Sequence, residues 1–363
     1  MNRGITVVMS MLLLVLVIAG CGSSGSSSSS GETSSGSGEE AAATGTGEAG
    51  EEEASGGSDI NVSYLSPQGS SPDQQQVNLG MEKAAKELGW TETELDANAS
   101  TDKQISDTEI ALNRGDAALA SWPLDPSAEL GIFARAEEEE VPVIGLNSNP
   151  ENTGLKTTVW YEVQLCEPGG PATVTAERIA ELHPHAKVIM VGDHVAESTR
   201  ELSACFEKAA KKAGLEVLAE AVNEAGSAAE AQKVFEPLLT KYPEVEAVWA
   251  FNEESALGAS AALLAAGKEI ATAEAPEGVI LAAAAGAQKT GVEAIETGRL
   301  SWTWDTESVA VGYAVVKAMK EALDGKEPGE NVVVESKLID SENAGEYEAP
   351  EQRTYTLDDL PIK

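Results

Sequence analysis

Apolar residues along this chain recur in two rhythms, and from residue 59 onward the two alternate. Short β-type runs stand at Ile60–Leu65, Ala117–Trp122, Val141–Asn147, Lys187–Asp193, Ala247–Asn252 and Val279–Ala285. Helical stripes lie between them. Val77, Met81, Ala84, Ala85 and Leu88 share one face, as do Leu202, Cys205, Phe206, Ala209, Ala210 and Ala213, and Val234, Phe235, Leu238, Leu239 and Tyr242. Gly89 and Gly214 stand where helix C-caps belong. Continuous apolar strands alternating with helices predict buried parallel sheets, so the class is α/β, doubly wound. Roughly ten strand signals are more than one tidy sheet would use, and two similar lobes are the better count.

In such sheets ligands bind beyond the carboxyl ends of the strands, so the residues just after each strand are the ones to read for chemistry. Here they are polar and aromatic, without a nucleophile, base and orienting group in one set. No G-x-S-x-G elbow or Walker A run occurs in the folded part. His183 and His185 flank Pro184 in what reads as a surface turn, and Glu137 to Glu140 reads as the solvated end of a helix. His194 stands just after a strand, but no carboxylate or thiol partner is identifiable for it in the sequence. The pattern favours binding without catalysis, with no cofactor and no metal.

Charge narrows the partners. The chain has 363 residues, with 61 Asp and Glu against 24 Lys and Arg, a net charge of −37. Such a field repels nucleic acid and anionic membrane surfaces. At the start, Arg3, the apolar run Met11 to Ile18 and then Ile18-Ala19-Gly20-Cys21 describe an export signal. Those last four residues resemble the bacterial lipobox, in which the Cys thiol is lipid-modified, so residues 1–20 are expected to be a lipoprotein signal peptide and Cys21 the lipidation site. Residues 21–58 form a Gly, Ser, Thr, Ala and Glu tether without a large apolar side chain, which is expected to be disordered. Gly45-Thr46-Gly47-Glu48-Ala49-Gly50 within it spells a dinucleotide fingerprint, but no strand precedes it and no helix comes after, so it carries nothing.

One junction carries a resemblance. Asn252-Glu253-Glu254-Ser255-Ala256-Leu257-Gly258-Ala259, after the run Ala247 to Phe251, resembles the N-D-x-x-A-x-G-A signature of ribose-binding-protein-like receptors, the type I periplasmic binding proteins of sugar ABC importers. The similarity extends from about Asn61 to Ile339 through Gly80 to Gly89, Val141 to Ile144, Arg200 to Phe206, Tyr242 to Val248 and Gly298-Arg299-Leu300. It implies two Rossmann-like lobes joined by three crossover strands. The first lobe is expected over 59–160 plus 307–334, and the second over 161–306 plus 335–363. It also implies ligand contacts from Ser66, Gln68 and Asp73, from Trp122, Asn147 and Ser148, from Arg200 and Asn252, and from Trp304, Asp305 and Thr306. The family's G-F-D reads Ala283-Ala284-Ala285 here, a ring-stacking aromatic is replaced by Ala225 or Gly226, and the S-D-N of the first crossover reads Tyr161-Glu162-Val163. Trp122, Trp160, Tyr161, Trp302 and Trp304 are the candidate replacement stacking faces, although Trp302 and Trp304, which share a strand face, fit equally well under a sheet.

The resemblance implies a lipid-anchored receptor on the outer face of the bacterial cytoplasmic membrane. Its partners would be a sugar-like ligand and an ABC importer permease; the alternative is a sensor of the same fold signalling to a membrane receptor or kinase. With Cys21 lipidated, Cys166 and Cys205 are the remaining thiols, and the exported compartment is oxidising enough to pair them. The alternative is two buried, unpaired thiols.

Overall fold

The computed structural model describes residues 60–363; the signal segment, Cys21 and the tether lie outside the described residues. Two six-stranded sheets organise the chain. The first segment runs β1 (Asn61–Ser66), α1 (Pro72–Glu87), β2 (Thr91–Asp96), α2 (Thr101–Arg114), β3 (Ala118–Ser121), α3 (Pro126–Glu138), β4 (Val143–Leu146), α4 (Pro150–Thr153) and β5 (Thr157–Tyr161). The second runs α5 (Pro171–Leu182), β6 (Lys187–Gly192), α6 (Glu197–Lys212), β7 (Glu216–Val222), α7 (Ala228–Lys241), β8 (Ala247–Ala250), α8 (Glu253–Ala265), β9 (Ile280–Ala283), α9 (Lys289–Glu296) and β10 (Trp302–Asp305). The chain then returns for α10 (Ser308–Leu323) and β11 (Asn331–Val334), and crosses again for β12 (Lys337–Asp340).

Sheet order makes each lobe discontinuous. The first sheet reads β11-β5-β4-β3-β1-β2 and the second β12-β10-β9-β8-β6-β7. Within these sheets every pairing is parallel except that of β12, which lies antiparallel to β10. The central strands β3, β4, β8 and β9 are buried along their whole length, as sheets covered by helices on both faces require. The chain crosses between lobes after β5, after β10 and after β11. Beyond β12 its course differs from an assignment of 335–363 wholly to the second lobe. Ala344 and Tyr347 pack on the second lobe's core, but Tyr355, Leu357, Leu360 and Ile362 pack on the first lobe's. The last residues pair with β11, where Lys363 N donates to Val333 O at 3.0 Å. Apolar side chains spaced along the tail draw it back, because the first lobe's core would otherwise be open there.

Two local devices fix the framework. α1 and α10 meet backbone to backbone: a Cβ on Gly80 would fall 2.1 Å from the Val309 carbonyl oxygen, and one on Gly312 2.2 Å from that of Val77. Cys166 and Cys205 form a disulfide with a Cα separation of 5.5 Å, tying the loop after the first crossover to α6. Closing this loop, with a sequence separation of 39, stabilises the fold by roughly 4 kcal/mol in the chain-entropy account.

Buried carboxyls hold two strand-to-helix loops. Glu129 accepts from the backbone N–H of Leu124 and Asp125, and Glu253 from those of Ala287 and Gln288. Burial pushes Glu129 up to about 7 and Glu253 up to about 8.

Two outcomes are expected. Gly312→Ala inserts a methyl group against backbone that has no side chain to move aside. It should lower unfolding free energy by about 2–3 kcal/mol in urea titration. For the carboxyls, the unfolded chain gives up these protons near the ordinary Glu value whereas the fold keeps them to about 7 and about 8. Their contribution is therefore complete below the unfolded value and is lost as pH rises through 7 to 8. Stability measured at pH 5 should exceed that at pH 8, and the difference should shrink in Glu253→Gln.

Candidate functional site

Loops at the carboxyl ends of both sheets face one another and touch. Trp122, just after β3, donates its indole N–H to Ser198 Oγ in the first turn of α6 at 2.9 Å. Glu197 N donates to the Leu124 carbonyl at 3.2 Å, and Asn152 Nδ2 to Glu197 Oε1 at 2.7 Å. Gln76 in the first turns of α1 donates to Gln288 Oε1, before α9, at 3.1 Å. A small apolar cluster of Ala97, Leu124 and Ala196, with Val195 against it, closes the same seam.

At its centre is Asp73, in the first turn of α1. Its Oδ2 accepts from the Tyr161 hydroxyl at 2.9 Å, and its Oδ1 from Ser308 at 2.6 Å and Thr306 at 3.4 Å. Burial raises the Asp73 pKa, and the three hydroxyls work against that rise. Tyr161 ends β5 and meets the Trp122 ring edge-on, with centroids 5.4 Å apart, so two aromatic side chains wall the carboxylate. Asn147 stands just after β4 with a left-handed φ of 44°, a conformation Asn adopts more readily than most residues. Its Oδ1 accepts from Tyr161 N at 2.8 Å, while its Nδ2 is buried without a protein partner. Such an amide has donors to give. From the other lobe comes Glu254, half-buried in the first turn of α8, its pKa raised by burial and by the charge of Asp73.

Among the expected contacts, Asp73, Trp122, Asn147 and Thr306 are therefore gathered. Ser66 lies buried at the end of β1, and Gln68 is half-buried in the turn where its carbonyl accepts from Ser71 N. The Ser148 hydroxyl is buried without a partner, in space that Gly145 leaves open. Arg200 does not join them: it is exposed, and its guanidinium donates to the His194 carbonyl at 2.7 Å. Asn252 is the N-cap of α8, accepting from Ser255 N at 2.9 Å and donating to the Gly226 carbonyl at 3.2 Å. Both side chains close loops, because an unsatisfied helix start or carbonyl nearby is cheaper to reach than the opposite lobe. Asp305 is held by Arg353 at 2.5 Å. Trp304 donates to Thr175 Oγ1 at 2.9 Å and so lies under α5, and Trp302 lies beneath the Arg178 guanidinium. His194 has a carboxylate partner that sequence reading missed, Glu220, at 3.3 Å.

Tyr161 was legible only as an aromatic; Ser198, Glu254 and Ser308 were given no role of their own, although Glu254 stands in the Asn252–Ala259 motif. For those three the available signal was position: each stands within two residues of a helix start that comes after a strand or its loop. Charge completes the site. Arg178, Arg200 and Arg353 are each engaged elsewhere, by Asp340, by the His194 carbonyl, and by Asp305 with Glu307. Asp73 and Glu254 are both carboxyls whose pKa burial raises, and none of these three cations is bonded to either.

Comparison with known proteins agrees with this geometry. Residues 62–327 match the family described as periplasmic binding protein domain. The ribose import binding protein of Bacillus subtilis is 28% identical over 263 residues, covering 72% of this chain and 81% of the relative. Its namesake from Escherichia coli is 26% identical over 262 residues, covering 72% and 83%. Among solved structures, an ABC transporter solute-binding protein from Bacillus halodurans with bound myo-inositol superposes with a TM-score of 0.69 at 23% identity, over 82% of this chain and 99% of that one. One from Actinobacillus succinogenes with bound D-allose gives 0.69 at 19% identity, over 79% and 100%. With two mainly parallel sheets, three crossings of the chain between them and a family match over residues 62–327, the chain belongs to the periplasmic binding protein family.

Proposed function

We propose that this protein is a lipid-anchored, extracytoplasmic solute-binding protein of an ABC importer, taking an uncharged sugar or polyol between its lobes. The observation that carries the reading is the Asp73 cluster. It offers carboxylate acceptors, the free Nδ2 donors of Asn147 and the aromatic wall of Trp122 and Tyr161, all at the seam between lobes. Polyhydroxylated ligands need that mixture of acceptor, donor and apolar ring face. An anionic ligand would meet Asp73 and Glu254 and lose its hydration without gaining a counter-charge. The relatives' names, ribose import binding proteins, and the D-allose and myo-inositol held by structural neighbours support the same class. Cys21, in its lipobox-like setting, supports the anchor.

A thermal-shift panel of D-ribose, D-allose, myo-inositol and D-glucuronate tests the ligand class. At least one neutral compound should raise the melting temperature by several degrees at concentrations well above its Kd, and glucuronate should not. Trp122→Ala and Asn147→Ala should each weaken that ligand about tenfold or more, near 1.4 kcal/mol, while Arg200→Ala stays within about twofold. Stabilisation by glucuronate alone would refute the charge argument. For the anchor, Cys21→Ser should abolish incorporation of labelled palmitate and release the protein from the membrane fraction.

A further inference from the structure

The tail beyond β12 touches all three crossings of the chain between the lobes. At the crossing after β10, Arg353 places its Nη2 2.5 Å from Asp305 Oδ2 and its Nη1 2.9 Å from Glu307 Oε2. Glu307 is 2% exposed and sits at a left-handed φ of 52°, a conformation that costs a non-glycine residue free energy. It also binds Lys337, next to the third crossing, and the Tyr355 hydroxyl, so three groups hold one strained residue. These bonds draw the Glu307 pKa below the usual carboxylate value against the opposing effect of burial. At the crossing after β11, Glu335 N donates to the Pro361 carbonyl at 2.8 Å. At the crossing after β5, Lys363 Nζ lies 2.6 Å from Glu162 Oε1, and Glu162 Oε2 accepts from Ser336 N at 2.9 Å.

The tail also reaches the seam itself. Gln76 Nε2 donates both to Gln288 of the second lobe and to Glu351 of the tail, each at 3.1 Å. Lys83, further along α1, donates to the Glu351 carbonyl at 3.2 Å. The short turn Pro350–Gln352 thus rests on α1, while Tyr347 stays with the second lobe's core.

We propose that this C-terminal tail is a fourth connection between the lobes, a strap that favours the closed arrangement, with Arg353 as its positioning residue. Three crossings alone leave φ and ψ at each free to absorb a hinge rotation. The strap ties the middle crossing, through a bidentate guanidinium, to a segment anchored on both lobes. Opening must break the bond from Gln76, which Glu351 of the tail holds in place, to Gln288 of the second lobe, and loosen the forked pair to Asp305 and Glu307. These residues do not touch ligand on this reading. They act on affinity by setting the fraction of molecules already closed, since apparent affinity scales with the competent fraction.

Small-angle X-ray scattering of the full ligand-free chain tests the strap without reference to any ligand. Arg353→Met should give a larger radius of gyration than the unsubstituted protein, and Arg353→Lys, which keeps charge but loses the fork, should fall between them. Should Arg353→Met not fold, Tyr355→Phe and Glu351→Ala each remove one polar contact of the tail and should shift scattering the same way by less. Affinity for whichever neutral sugar stabilises the protein should fall roughly five- to tenfold in Arg353→Met. Scattering and affinity unchanged from the parent, with only the melting temperature lowered, would make the tail a stability clamp and overturn the proposal. Failure of the whole sugar panel would refute the ligand reading alone, because the ligand-free scattering comparison would still decide the strap.

Discussion

The backbone approach of α10 to α1 over Gly80 and Gly312 is what makes one lobe out of two distant stretches of chain. α10 begins only after the whole second lobe has been built, and its place in the first lobe depends on a contact in which neither helix has a side chain in the way. The consequence reaches the cleft, because both helices begin there. Asp73 stands in the first turn of α1 and Ser308 in that of α10, bonded at 2.6 Å. An anion near two helix starts is favoured by their unsatisfied N–H groups and by the aligned peptide dipoles. Packing at the middle of the pair and charge at its end therefore specify the same register.

That arrangement accounts for which parts of the molecule were legible in the sequence. Buried strands such as β3, β4 and β8 announce themselves as continuous apolar runs, and α1 and α6 as single stripes, since their burial leaves little freedom of composition. β2 and β7 did not stand out. They are the outer strands of their sheets, read Thr-Glu-Thr-Glu-Leu-Asp and Glu-Val-Leu-Ala-Glu-Ala-Val, and are half-exposed along most of their length. Charged side chains there discourage pairing with another chain's edge, which serves the protein while hiding the strand. The tail was misplaced for a different reason. Tyr355, Leu357, Leu360 and Ile362 are too few, and spaced too unevenly, to show a helical or strand period, and only packing on the first lobe's core gives them a destination.

The site divides along the same physical line. Asp73, Trp122, Asn147 and Thr306, contacts that the family resemblance implied, stand at the carboxyl ends of strands or on the helix start after one, and the structure gathers their side chains at the seam. Arg200, Asn252 and Asp305 share that position but are engaged by His194, Ser255 and Arg353, two of them within six residues in the chain and one 48 residues away (353 against 305). A nearby carbonyl or helix start competes for a polar side chain, and the sequence does not disclose who wins that competition. Glu254 and Ser308 show the converse. Neither was given a role of its own, yet the helix starts at the seam bring Ser308 into a hydrogen bond with Asp73 and Glu254 close enough for the charge of Asp73 to raise its pKa.

The disulfide between Cys166 and Cys205 encloses α5, β6 and the first half of α6, the stretch that presents Glu197 and Ser198 to the first lobe. Half of the seam is thus mounted on a segment whose restraint is covalent and depends on an oxidising surrounding. A copy made in a reducing cytosol has the same sequence and the same helices, but this rim is held by packing alone. Preparations from the two compartments are chemically different receptors, and how sharply the second lobe's rim is fixed belongs to the history of the sample as well as to its sequence.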